Sequence, residues 1–269
     1  LLYHGIPEFR LDKKTLSKTI KKIINLGVEI KTNCELGVNI QLPDLEKEYD
    51  AIFLGFGANI SRKMNIDGET LNGVYGGNEL LEKNLHPDYK NKKVAVIGGG
   101  NVAMDTARTI KKLGANEVTV IYRRSEKEMP AEVHEIEEAK NEKIKFLFQT
   151  NPVKIIGENK VEKIECVKME LKQKENETRL SPVEIPNSNF TIDLDYVVMA
   201  VGSKPESNIL EKLNLELTDR GHIKIDKNNQ TSNPKIFAGG DLAGAKGTVA
   251  WASRSGRNAA FSIMNFLQK

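Results

Sequence analysis

Three consecutive glycines, Gly98-Gly99-Gly100, separate a strand-like run from a helix-like one. Before them, Lys93-Val94-Ala95-Val96-Ile97 reads as a short buried parallel strand. After them, Asn101 to Leu113 reads as a helix with Ala103, Ala107 and Ile110 on one face and Gly114 as its stop. A strand, a tight glycine turn and a helix place unpaired N–H groups and the positive end of the helix dipole where a pyrophosphate can bind. In that reading Gly98 makes the turn, Gly100 lets the backbone approach the phosphates, and Ala103 keeps helix and strand close. Gly99, Asn101 and Val102 complete the binding loop. A second strand, Glu117 to Tyr122, follows at the spacing of a βαβ unit, and Arg123 and Arg124 come directly after it. A carboxylate there would hold ribose hydroxyls. Two guanidiniums instead suit a 2′-phosphate and point to NADP; the plainer alternative is a pair of surface arginines.

A second candidate lies near the C-terminus. Pro234 to Ala238 is a strand, Gly239-Gly240-Asp241 a turn, and Gly247-Thr248-Val249 the start of a long helix. The small residues of a stripe formed by Val249, Ser253, Gly256, Ala260 and Leu267 would allow close packing on a sheet or cofactor. The Asp241 carboxylate can accept from a ribityl hydroxyl, and N–H groups at the helix start can stabilise charge on a reduced ring. An ordinary aspartate cap in a βα turn is the alternative.

Composition bounds the remaining possibilities. The 269 residues suffice for one large domain or two ordinary ones. With 40 Lys+Arg against 37 Asp+Glu the net charge is +3, which is no nucleic-acid footprint. No apolar run approaches a membrane span. Cys34 and Cys166 form no Cys-x-x-Cys pair, so a redox dithiol, a zinc ribbon and an iron–sulfur cluster are not expected in this stretch, and a reducing cytoplasm is. The four histidines have no ligand spacing, and no metal site is expected.

The elements that must position these residues read as an α/β chain. A lysine-rich helix over 12–26, capped by Asp12, is expected to bury Leu16, Ile20, Ile23 and Ile24 and to end at Gly27. Short strands are expected at Val28 to Ile30 and Asp50 to Leu54. Residues 59–91 read as a crossover with one helix near Asn78 to Lys83, and a polar helix and the strand Ile144 to Phe148 come later. From Val153 to Val198 the pattern becomes an antiparallel insertion, with an alternating run at Ile164 to Leu171 and a polar tip at Lys172 to Arg179. The buried strand Tyr196 to Gly202 mirrors Ile52 to Gly57, a faint internal duplication.

Taken together, the chain resembles the glutamate synthase small (beta) subunit family of NADPH- and FAD-dependent oxidoreductases. The residues that carry the resemblance are Tyr3-His4-Gly5-Ile6-Pro7-Glu8-Phe9-Arg10-Leu11, Val96 to Asp105 and Val120 to Arg124. Met129-Pro130-Ala131, Phe237 to Asp241 and Gly247-Thr248-Val249 continue it. The resemblance implies two interleaved Rossmann-like domains: a partial FAD-binding domain from 1–62 and 203–269, and an inserted NADP-binding domain at 63–202. It assigns Gly98 to Ala103 to the NADP pyrophosphate and Arg123 and Arg124 to its 2′-phosphate, with Glu135 as a further contact. Gly240, Asp241, Gly247, Thr248, Val249, Leu2 and Ile40 are expected near FAD, and Gly202 is a further cofactor-binding candidate. Relatives also carry an earlier FAD pyrophosphate unit and a cysteine-rich iron–sulfur segment, so the sequence is expected to be a fragment holding the complete NADP site and only part of the FAD site. Smaller departures are Gly55-Phe56-Gly57, where relatives have Ala-Thr-Gly, and Asp67-Gly68, where they have proline before the glycine.

What the resemblance implies chemically is hydride transfer from NADPH to FAD, with no side chain as acid or base. Electrons would pass to iron–sulfur centres and, in glutamate synthase, to a large partner subunit. An NADPH–ferredoxin transhydrogenase or a dihydropyrimidine dehydrogenase-type component is the alternative within the class. A non-catalytic NADP-binding module is the alternative outside it.

Overall fold

The structure, a computed structural model, describes residues 1–173 and 180–268. Most of the polar tip expected at Lys172 to Arg179 lies outside the described residues. The helices are α1 (Lys13–Ile24), α2 (Leu42–Glu48), α3 (Gly77–Lys83), α4 (Asn101–Lys112), α5 (Val133–Asn141), α6 (Ser207–Leu213) and α7 (Val249–Leu267). The strands are β1 (Ile52–Leu54), β2 (Ile60–Ser61), β3 (Val74–Gly76), β4 (Lys93–Ile97), β5 (Glu117–Tyr122), β6 (Lys145–Phe148), β7 (Thr150–Ile156), β8 (Lys163–Lys172), β9 (Ser181–Glu184), β10 (Phe190–Asp193), β11 (Tyr196–Met199), β12 (Ser203–Lys204) and β13 (Ile236–Ala238). They fall into two compact units, one of Leu1–Lys18 with Ser61–Ser203, the other of Thr19–Ile60 with Lys204–Lys269. This division puts the first 18 residues with the middle of the chain, where the sequence reading grouped 1–62 with the C-terminal part.

The first unit is built on a parallel sheet of order β3-β11-β4-β5-β6. Its strands are apolar on both faces, as parallel strands covered twice must be. Val94 and Val96 face α4, α5 and the segment around Met129, together with Ala103, Met104, Ala107, Ile110 and Ile136. Ala95, Ile97 and Ile121 face the other way, onto Ile155, Ile164 and Cys166. Those last residues belong to the expected antiparallel insertion, β10-β8-β7 with β9 on β8, which covers the face where a second layer of helices would otherwise lie. Burial pushes the Cys166 thiol up to about 12 and leaves it unreactive.

Helix α4 buries the expected stripe and more. Ala103, Met104, Ala107 and Ile110 are fully buried, and Asp105, Thr106 and Arg108 are buried beside them. Removing Met104 and Ile110 from water contributes roughly 1.5–3 kcal/mol each. The charged residues are buried because the N-terminal segment lies over the helix. Arg10 Nη1 donates to both Asp105 oxygens at 2.9 Å, and Arg10 Nε lies 3.0 Å from Glu135 Oε1. Arg108 pairs with the other Glu135 oxygen and lies 2.9 Å from Glu142. The Phe9 ring lies 4.5 Å from the Arg108 guanidinium. Burial pushes the Asp105 carboxyl up to about 6 against the opposing pull of Arg10.

In the second unit the core gathers Leu42, Ile52, Leu54, Leu210, Leu213, Ile223, Ile236 and Leu242 around the parallel pair β1 and β13. Three expectations are corrected. No strand forms at Val28 to Ile30, which has no ladder partner. Ile23 and Ile24, expected to be buried, are exposed; of that stripe Leu16 is buried and Ile20 half-buried. In α7 the covered residue is Ala259, flanked by half-buried Ser255, Ile263 and Phe266, and Val249, Ser253, Ala260 and Leu267 are exposed. The helix is turned by its anchors: Ser255 Oγ accepts from Gly240 N at 3.0 Å, and the Phe266 ring stands edge-on to Phe237.

Candidate functional site

The glycine loop joins β4 directly to α4. Gly98 has φ +140 and its N–H donates to Ile121 O at 3.0 Å. A Cβ at Gly98 would lie 2.2 Å from the Ala200 carbonyl, so the turn admits glycine alone. A Cβ at Gly99 would lie 2.7 Å from the Tyr122 ring, so the loop is pressed onto the end of β5. Above Gly100 the space is open, with Pro130 as the nearest neighbour at 3.8 Å. Ala103 is fully buried in the close contact of helix and sheet.

Gly100 is the N-cap of α4 and brings no side-chain cap. Among the described residues the N–H groups of Gly99, Gly100, Asn101, Val102 and Ala103 find no protein acceptor. The loop therefore offers a run of donors and the positive end of a twelve-residue helix dipole, and an anion answers both. Arg123 follows β5, the neighbour of β4, and is exposed; Arg124 is half-buried and its Nε donates to Leu180 O at 3.1 Å. The two arginines therefore differ: one guanidinium is open to solvent, the other is partly tied down.

Glu135, expected as a further nucleotide contact, is engaged by two arginines. It is buried, and its two oxygens pair with Arg10 and Arg108. Gly202 has φ +124 beyond the end of β11, and its carbonyl accepts from Arg62 N at 2.9 Å. Leu2, half-buried in the first unit, accepts from Lys13 Nζ through its carbonyl at 2.9 Å.

The remaining candidates belong to the second unit. Gly240, with φ +63, opens a short 3-10 turn of Gly240–Ala243 after β13. Asp241 Oδ1 is buried and has no hydrogen-bond partner among the described residues, and burial raises the carboxyl against the opposing charge of His222. A Cβ at Gly247 would meet nothing within 4 Å, Thr248 caps α7 by accepting from Trp251 N at 3.3 Å, and Val249 is exposed. Ile40 is half-buried, and its carbonyl accepts from Gly37 N at 2.7 Å. The orphaned Asp241 oxygen fits a ribityl hydroxyl donor. For the FAD pyrophosphate the fit is poorer: β1 runs into Gly55 and Gly57, but no helix follows there among the described residues.

Two contacts around the glycine loop and helix α4 go beyond the expected site. Met129-Pro130-Ala131 stands in the sequence only as a matching motif, yet Ala131 N donates to Gly99 O at 3.1 Å and Glu132 N to Asn101 Oδ1 at 3.1 Å. Asp105 stands there only as the end of a motif, yet it anchors Arg10. An aspartate in the midst of an apolar helix stripe was the available signal for the second.

Residues 4–259 match the family model described as pyridine nucleotide-disulphide oxidoreductase. The chain belongs to this family. It is 35% identical over its whole length to the glutamate synthase [NADPH] small chain of Escherichia coli strain K12, covering 61% of that protein. It is 37% identical to the NADP(+)-dependent formate dehydrogenase subunit beta of Moorella thermoacetica, covering all of this chain and 39% of that one. The relationship to the glutamate synthase small-subunit family, expected from the motifs, thus extends over the full chain. The chain spans about 40 to 60% of the length of these relatives. In fold it matches FprA of Mycobacterium tuberculosis in complex with NADPH, with a TM-score of 0.85, 19% identity, and coverage of 100% of this chain and 75% of that one. Among the described residues no helix is long and apolar enough to cross a membrane.

Proposed function

We propose that the chain is the nucleotide-handling part of an NADPH-dependent flavoprotein oxidoreductase, with NADP at Gly98 to Ala103. The observation that carries this is the run of unpartnered N–H groups from Gly99 to Ala103 beneath open space at Gly100. The loop would hold the pyrophosphate, and Arg123, helped by Arg124, the 2′-phosphate. In the second unit Asp241 would accept from a ribityl hydroxyl, with Gly240 and the start of α7 beside the flavin. Bound together, the two cofactors supply hydride transfer from nicotinamide to flavin. The protein supplies orientation and charge, and no side chain is assigned as acid or base.

The finer reading is an electron-input subunit of glutamate synthase in the cytoplasm, passing electrons through iron–sulfur centres to a large subunit. Its support is the 35% identity to the Escherichia coli small chain. A related electron-input role stands beside it, because relatives of similar identity include a formate dehydrogenase subunit and, at 33%, the NADPH-Fe(3+) oxidoreductase subunit beta of Geobacter sulfurreducens.

The test is reconstitution with FAD, gel filtration, and anaerobic addition of NADPH or NADH. A retained flavin whose visible band bleaches faster with NADPH is the expected result. A colourless protein that still binds NADP+ would reduce the function to nucleotide binding alone.

A further inference from the structure

The loop that would bind phosphate does not hold its shape alone. The turn Glu126–Glu128, closed by a capping box with Ser125, leads into Met129 to Glu132, which runs alongside the glycines. Tyr122, whose ring lies under Gly99, donates from its hydroxyl to Glu128 O at 2.8 Å, so the turn and the loop share one support. Pro130 is the nearest group to the open side of Gly100.

Two backbone donors then reach the loop. Ala131 N–H donates to Gly99 O at 3.1 Å. The C=O and N–H of a trans peptide point in opposite directions, so this contact turns the Gly100 N–H away from Ala131. Glu132 N–H donates to Asn101 Oδ1 at 3.1 Å. An N–H can be met only by the amide oxygen, so the contact also settles which way the Asn101 amide faces. Both Nδ2 hydrogens are left for an acceptor, and among the described residues they have none.

We propose that Pro130 to Glu132 is a brace for the phosphate loop: the Ala131 and Glu132 N–H groups are positioning groups, and through them Asn101 presents its Nδ2 amide to the pyrophosphate. This rests on NADP binding at Gly98 to Ala103 and adds how that loop is kept in its anion-binding form. The chain uses backbone donors for the task, so side-chain substitution at Glu132 leaves it intact. Only loss of the N–H removes it.

Glu132→Pro does this selectively. Glu132 has φ −61 and is the N-cap of α5, and the ring of proline fixes φ near that value. Binding to the full chain is measured by calorimetry with NADP+ and with adenosine 2′-monophosphate, which carries the 2′-phosphate and no pyrophosphate. Glu132→Pro should weaken NADP+ about tenfold to a hundredfold, the scale of a lost hydrogen bond to a charged group. It should leave the monophosphate affinity and the melting temperature near wild type. A folded Glu132→Pro with wild-type NADP+ affinity, or one that loses both ligands equally, overturns the brace.

Should Glu132→Pro melt early, Asn101→Asp decides. Aspartate still accepts from Glu132 N–H but is held with a negative oxygen where the Nδ2 donors faced the pyrophosphate, so it should bind NADP+ more weakly than Asn101→Ala while melting no lower. Equal or tighter binding by Asn101→Asp overturns the proposal. Gly100→Val separates the two levels of inference. If it leaves NADP+ binding unchanged, the site itself is misplaced; if it abolishes binding while the other variants bind normally, only the brace fails.

Discussion

The two glycine turns look alike as sequence and differ as chemistry. At Gly98 to Gly100 a strand of a five-stranded parallel sheet passes straight into a twelve-residue helix, and the loop presents donors only. At Gly239 to Asp241 the strand belongs to a parallel pair, a short 3-10 turn intervenes, and a buried carboxylate oxygen stands without a partner. Donors at a helix start suit a pyrophosphate; a lone acceptor suits a hydroxyl. The lesson is that a strand–glycine–helix pattern predicts a nucleotide only until the polar atoms at its turn are counted.

The comparison can be broken most forcibly at the turns themselves. Gly98→Ala should lower the unfolding free energy by about 3–4 kcal/mol, since its Cβ would meet a backbone oxygen at 2.2 Å on a left-handed φ. Gly247→Ala, in open space, should stay within about 0.5 kcal/mol. Chemical denaturation measures both, and equal effects would remove the distinction between a built loop and an open one.

The carboxylates Asp105 and Asp241 sharpen it next. Asp105 titrates near 6 in the folded chain against an ordinary 3.8, so the folded state binds the proton more tightly. That stabilisation is complete below about pH 4 and is lost as pH rises through about 6, up to about 3 kcal/mol. In Asp105→Asn the stability–pH curve should flatten across that window. Asp241 is shifted upward as well, but one of its oxygens has no hydrogen-bond partner among the described residues. Asp241→Asn should therefore stabilise the cofactor-free protein at pH 7 by about 1 kcal/mol, where Asp105→Asn takes from Arg10 one of its two carboxylate partners. A modest effect belongs to the α7 cap: Thr248→Ala should cost about 1 kcal/mol or less.

Much of this was legible in the residues. The alternation of Val94 and Val96 with Ala95 and Ile97 is a parallel strand covered on both faces, and the structure supplies helices on one and an antiparallel sheet on the other. Local pattern sufficed there because nearby residues form the layers. It failed where the partner is distant. The ion pairs of Glu135 with Arg10, 125 positions earlier, and with Arg108 leave no trace in the residues around it. The stripe chosen for α7 was shifted because Ser255 and Phe266, not the smallest residues, fix its rotation. The brace on the loop was invisible for another reason: backbone N–H groups carry no residue type.

The central claim is NADP at the first turn, selected by Arg123 and Arg124. Calorimetric titration of the full chain with NADP+ and NAD+, for wild type and for Arg123→Ala with Arg124→Ala, tests it directly. NADP+ should bind the wild type at least about tenfold more tightly than NAD+, and the double variant should lose that preference while keeping its NAD+ affinity. Equal affinities in the wild type, or equal losses for both nucleotides in the variant, would contradict it.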